Sequence, residues 1–122
     1  ELPTLPRKVP NTYVAENGIE IQIGTVHSVK GETHTATLYL ETFYHNFDSK
    51  RLLNFFEGNY PKSALRPMQI QNLRIAHVAL SRPTHLAAFA CEKSNIIGHE
   101  SALENNGWII KDVNDILKAE KL

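Results

Sequence analysis

Two short segments concentrate residues able to handle phosphate. The first is Gly24-Thr25-Val26-His27-Ser28-Val29-Lys30-Gly31. Thr25, His27 and Ser28 offer hydroxyl and imidazole groups suited to phosphate oxygens, Lys30 adds a point charge, and Gly31 allows a ligand close to the backbone. The same composition also suits a polar turn whose hydroxyls cap its own backbone. The second segment is Leu73-Arg74-Ile75-Ala76-His77-Val78-Ala79-Leu80-Ser81-Arg82-Pro83, an apolar helical pattern that ends in Ser-Arg. Arg82 would present a rigid fork of donors to a phosphate there. A last-turn arginine equally suits the carbonyls at the end of its own helix.

The elements that must position these residues read as α/β. Pro3, Pro6 and Pro10 forbid a helix at the start, so residues 1–11 are expected to be a linker. Thr12-Tyr13-Val14 and Ile19–Ile23 flank Glu16-Asn17-Gly18, where Asn-Gly would supply the positive φ angles of a tight hairpin. Ile19, Ile21 and Ile23 share one face, which predicts a half-buried strand. A second strand is expected over Thr35–Thr42, then a helix over Ser49–Phe56 with Asp48 as N-cap and a stop at Gly58 and Pro61. From Pro67 the spacing of Ile70, Leu73, His77 and Leu80 predicts one helical face, closed by Pro83. His85–Cys91 is nearly all apolar, as in a parallel strand covered on both faces. A helix near Gly98–Asn105, a short strand Trp108–Ile110 and a helix from the N-cap Asp112 to Lys121 complete the pattern. The order predicts a mostly parallel open sheet flanked by helices, with the hairpin at an edge and residues 12–122 as one domain.

Composition narrows the function classes. With 122 residues, the chain suits one core. Thirteen Lys and Arg balance thirteen Asp and Glu, so no global basic field draws it to nucleic acid or membrane. The single cysteine, Cys91, reads as a small core residue, and His45, His85 and His99 lack partners at metal-ligand spacing. The five residues Phe43, Tyr44, Phe47, Phe55 and Phe56 are expected to pack mostly under the connection between the two phosphate-handling segments, and Trp108 in the core. Cysteine usage and the absence of a long apolar run point to a reducing, cytoplasmic setting without a membrane.

Together the two segments resemble signature blocks of superfamily 1 DNA helicases of the UvrD/Rep type. A block Thr-x-His-x-x-Lys-Gly before a strand, motif V, is matched by Thr25, His27, Lys30 and Gly31. A later block, Arg-x-x-Tyr-Val-Ala-x-Thr-Arg, motif VI, is matched by Arg74, Val78, Ala79 and Arg82, with His77 for Tyr and Ser81 for Thr. The family usually continues Lys-Gly-Leu-Glu-Phe, whereas this chain reads Lys30-Gly31-Glu32-Thr33-His34, so either Thr33 or Glu32 takes the ribose contact. Pro83 stands where the family commonly has Ala.

The resemblance implies the second, C-terminal RecA-like motor domain, of the P-loop NTPase type. Arg82 would be the arginine finger, the catalytic residue. Gly31, Glu32 and Thr33 with Arg82 would face ATP, and Thr25, His27, Ser28 and Lys30 would contact single-stranded DNA. Arg74 is expected to pair with a surface acid. No Gly-x-x-x-x-Gly-Lys-Ser/Thr loop and no Asp-Glu metal pair occur in the chain, so ATP and Mg²⁺ would be held with an N-terminal RecA-like domain of the same protein. By itself the domain is expected to bind no cofactor, to grip DNA weakly and to hydrolyse nothing. The alternative is a non-enzymatic nucleic-acid or protein binding module built on the same fold.

Overall fold

A computed structural model describes residues 12–29, 33–60 and 63–120, in two compact units, 1–32 and 33–122. The expected linker, Lys30, Gly31, Glu32, Pro61 and Lys121 therefore lie outside the described residues.

In the first unit β1 (Thr12–Val14) pairs antiparallel with β2 (Glu20–Gln22), Tyr13 opposite Ile21. Gly18 N–H donates to Ala15 O at 2.8 Å, and Ala15 N–H to Ile19 O at 2.8 Å. This is a three-residue loop in which Gly18 alone takes a positive φ, 85°. Asn17 instead accepts Ile19 N–H on its side chain, at 3.1 Å. The expected hairpin over Glu16-Asn17-Gly18 therefore forms, with the positive φ carried by Gly18 and not by Asn17. Ile19, Ile21 and Ile23, expected half-buried, are all exposed, because two strands alone form no second layer.

The second unit is built on a parallel pair, β3 (His34–Leu40) and β6 (Pro83–Ala90), with His34 opposite Pro83 and Leu40 opposite Ala90. The crossover between them holds a small ribbon, β4 (Phe43–Tyr44) and β5 (Asn46–Phe47), then α1 (Asp48–Phe56) and α2 (Pro67–Ser81). One sheet face carries Tyr39 stacked on Phe89 at 5.0 Å, with Phe56 from α1 edge-on to Phe89 at 5.1 Å. The other face aligns Ala36, Leu38 and Leu40 with Leu86, Ala88 and Ala90, and the three leucines are exposed. β6 is therefore covered on one face, not both, and the parallel sheet among the described residues has two strands. Mixed α/β with a parallel pair is the observed class, and the hairpin pairs only with itself.

α1 ends as its sequence predicts. Gly58 at φ 83° lets its N–H reach Phe55 O (3.0 Å) while Asn59 N–H reaches Asn54 O (2.8 Å), the paired bonds of a glycine C-cap. Its start differs: Phe47 is the N-cap, and Asp48, the first helical residue, is buried. α2 opens on Pro67, whose missing N–H costs nothing in the first turn. Its buried stripe is Asn72, Ala76 and Ala79, whereas His77 of the expected face is exposed. Small side chains let this helix approach the sheet closely, so the buried row follows the alanines rather than the largest apolar residues.

After β6 come α3 (Glu100–Asn105) and α4 (Val113–Glu120). The strand expected at Trp108–Ile110 does not form. Trp108 instead donates its indole N–H to Phe56 O (2.8 Å) and lies 4.8 Å from the Phe56 ring. Asp112 caps α4 as expected, accepting Asn114 N–H at 2.9 Å. Leu52, Leu53, Tyr39, Ala76, Ala79 and Leu103 form the buried apolar core. Of the aromatic patch, Phe43 and Tyr44 stay exposed, while Phe47, Phe55 and Phe56 are half-buried.

Candidate functional site

Thr25 leads into a single 3₁₀ turn, Val26–Val29, because its hydroxyl and carbonyl both capture Ser28. Ser28 N–H donates to Thr25 Oγ1 (3.2 Å), and Ser28 Oγ donates to Thr25 O (2.6 Å). Gly24 leaves room beside this turn, since a Cβ there would stand 2.7 Å from Ser28 Oγ and displace that hydroxyl. The self-capping turn considered from composition thus exists and consumes the Ser28 proton. Among the described residues Thr25 Oγ1 accepts and does not donate, so its own O–H remains to donate, and the His27 imidazole is exposed. The turn thus leaves the Thr25 hydroxyl and the exposed His27 ring, rather than Ser28, open to outside contacts. Lys30, Gly31 and Glu32 lie outside the described residues.

In the second unit Thr33 and Arg82 each stand directly before a strand of the parallel pair. His34 N–H donates to Arg82 O at 3.3 Å, and Thr84 Oγ1 donates to His34 O at 3.3 Å. Thr33 and Arg82 therefore share the N-terminal end of the β3–β6 pair. Arg82 is the C-cap of α2 (φ −83°, ψ −33°), fixed there because Pro83 ends the helix and starts β6. Its side chain is half-buried, and Nε is buried without a hydrogen-bond partner among the described residues. Among the described residues no hydrogen bond joins the guanidinium to the last carbonyls of α2, so it does not cap its helix. Arg74 is exposed and forms no ion pair among the described residues.

The opposite, C-terminal end of the pair carries a polar network that sequence reasoning missed. Asp48 Oδ2 accepts from Tyr39 O–H (3.2 Å), Thr42 N–H (3.0 Å) and Thr42 Oγ1 (3.0 Å), and Oδ1 accepts from Asn72 Nδ2 (2.9 Å). Burial first, then the Asp48 charge, pushes the Tyr39 phenol far above the usual tyrosine range. Arg51 continues the network to Asn72 Oδ1 (3.2 Å) and Tyr44 O (2.6 Å). Beside it, Glu41 Oε1 accepts from the N–H and hydroxyl of Ser49, while Oε2 accepts from Glu92 N–H (3.0 Å) and Asn95 Nδ2 (3.1 Å). Burial and then Glu41 raise the Cys91 thiol, which favours its protonated form. The only local hint of this network was the choice of Asp48 as a helix-start residue.

Among the described residues no group of three His, Cys, Asp or Glu is arranged to hold a metal ion, and no helix is long and apolar enough to cross a membrane. No protein-family model, curated protein or solved structure matches the chain.

Proposed function

We propose that this chain is the C-terminal RecA-like domain of an ATP-dependent DNA helicase of the UvrD/Rep type, its parallel pair forming part of a larger open sheet. What supports this function is the placement of Thr33 and Arg82 directly before two parallel strands, with an Arg82 Nε–H that no acceptor among the described residues uses. A half-buried guanidinium with an unspent donor suits an oxyanion supplied from outside the chain.

In this function ATP lies between this domain and an N-terminal domain bearing the phosphate loop, which also supplies the Mg²⁺ site. Arg82 stabilises the charge that grows on the γ-phosphoryl oxygens, a role worth about 10³–10⁵ in rate. Gly31, Glu32 and Thr33 face the ribose side of that cleft. Thr25 and His27, with Ser28 and Lys30 beside them, grip the phosphates of single-stranded DNA, so that one loop links nucleotide state to DNA hold.

The test uses the polypeptide that carries this segment together with the phosphate-loop domain. Arg82→Ala should cut ATP turnover at least about 100-fold and leave ATP affinity within a few fold, because the group acts on transition-state charge. Thr25→Ala and His27→Ala should instead raise the DNA concentration needed to stimulate turnover. Full turnover in Arg82→Ala, or DNA-stimulated hydrolysis by the 122-residue chain alone, would refute the assignment.

A further inference from the structure

An apolar groove of about 440 Å³ opens between α1 and α2, walled by Phe55, Phe56, Leu73, Leu80 and Trp108. None of the residues assigned to nucleotide or DNA lines it. The indole bond to Phe56 O fixes Trp108 as one wall. Directly beyond Trp108 the chain runs without regular structure to α4, and Ile109 in that stretch is 82% exposed. α4 is amphipathic: Val113, Ile116 and Leu117, at i, i+3 and i+4, form an apolar stripe that is 63%, 45% and 51% exposed.

One molecule thus presents a concave apolar surface and a convex one, each without an occupant and joined by a short tether. From Trp108 to Val113 the chain can span up to about 16 Å, enough to fold back across the groove wall it starts from. Charge agrees with that return: α2 carries Arg74 and no acid, whereas residues 112–120 carry Asp112, Asp115 and Glu120 against Lys118. Before α4, Asp112 pairs with Lys93, 3.2 Å apart with the lysine 79% exposed, a contact of the kind that contributes little.

We propose that α4 is a strap for this groove. By rotation within residues 109–112 it lays Val113, Ile116 and Leu117 onto Phe55, Leu73 and Leu80, releasing Asp112 from Lys93. The closed strap keeps the groove from any other apolar ligand. The proposal is independent of the helicase function.

Trp108 is the single tryptophan of the chain and reports on the groove directly. In the 122-residue chain, Ile116→Asp with Leu117→Asp should raise acrylamide quenching of Trp108 about two-fold or more and shift its emission to the red, as follows when the closed state holds at least half the molecules. Asn114→Ala, on the polar side of α4, should change neither. Unaltered quenching in the double variant overturns the proposal. A second measurement places Leu80→Cys and Leu117→Cys in a Cys91→Ala background. Mild oxidation should give an intrachain disulfide, which needs Cα atoms within about 7 Å. A disulfide-linked dimer, or no cross-link, overturns closure within one chain.

Discussion

Replacing Asp48 tests whether the buried network holds the second unit together. The carboxylate is 4% exposed and accepts four hydrogen bonds, from β3, the turn after it and α2. Asp48→Ala leaves the Tyr39 hydroxyl and the Asn72 amide, both bonded to it out of water, without their acceptor. Each such orphan costs about 1–3 kcal/mol. The Thr42 groups are partly exposed and recover water, and removing a buried charge returns its desolvation cost. The net expectation is a loss of about 3 kcal/mol, from a total of about 5–13 kcal/mol for a unit of this size. Asp48→Asn keeps the shape but turns one oxygen into an amide donor. That donor must face either Asn72 Nδ2 or the Thr42 and Tyr39 donors, so it should cost about 2 kcal/mol. Urea unfolding followed by Trp108 fluorescence measures both, since that indole packs on Phe56 of α1. A cost below about 1 kcal/mol for Asp48→Ala, or an Asp48→Asn variant as stable as the parent, would refute this account, because a satisfied buried carboxylate cannot be lost so cheaply.

Two further outcomes follow from neighbouring contacts. The Tyr39 phenol is raised by burial and by Asp48, so the fold favours its protonated form; that stability is complete below the ordinary tyrosine value of about 10 and is lost as pH rises beyond it. Urea midpoints measured from neutral to alkaline pH should fall less steeply for Tyr39→Phe than for the parent, and parallel curves would contradict the linkage. His99 Nδ1 lies 2.5 Å from Glu57 Oε1, whose side chain is 8% exposed, joining the end of α1 to the start of α3. A double-mutant cycle of His99→Ala and Glu57→Ala should give a coupling of about 1 kcal/mol, with faster amide exchange over α3 in either single variant; additive effects would show that the contact contributes nothing.

Where local chemistry decides the backbone, the sequence is a good guide. Gly58 past the end of α1, Pro67 at the first turn of α2 and Pro83 after Arg82 each stand where their φ preferences require. The apolar run after Pro83 becomes a parallel strand for the same reason. Reading fails where a distant group competes. Asp48 has the short acceptor side chain of an N-cap, but Tyr39, Thr42 and Asn72 offer it donors from other elements, and it turns inward. Trp108-Ile109-Ile110 has strand composition, yet the Phe56 carbonyl and ring capture the indole and no strand lies alongside. Of the candidate site, the Thr25–Ser28 turn and the helix-end setting of Arg82 were legible from residue type and spacing. The unpaired Arg82 Nε and the spent Ser28 proton were not, since both depend on three-dimensional neighbours.

The two ends of the β3–β6 pair are built differently, and the difference bears on what each can do. At the C-terminal end Glu41 and Asp48 gather eight side-chain acceptor bonds, tying β3, α1, α2 and the exit of β6 into one polar cluster. At the N-terminal end Thr33 is exposed, and among the described residues Arg82 is held through its backbone and by Pro83 rather than through its guanidinium. Polar clusters of the first kind set how α2 lies on the sheet, and so where Arg82 begins. They do not fix where its side chain reaches, because four rotatable bonds separate Cα from the guanidinium. Damage to the cluster should therefore appear as lost stability, whereas damage to the Arg82 guanidinium should leave stability nearly unchanged. Asp48→Asn and Arg82→Ala stand at opposite ends of the strands and share no hydrogen-bond partner, so their effects on unfolding should add. A coupling above about 0.5 kcal/mol between them would mean that the guanidinium itself is part of the scaffold, and the separation drawn between the two ends would fall.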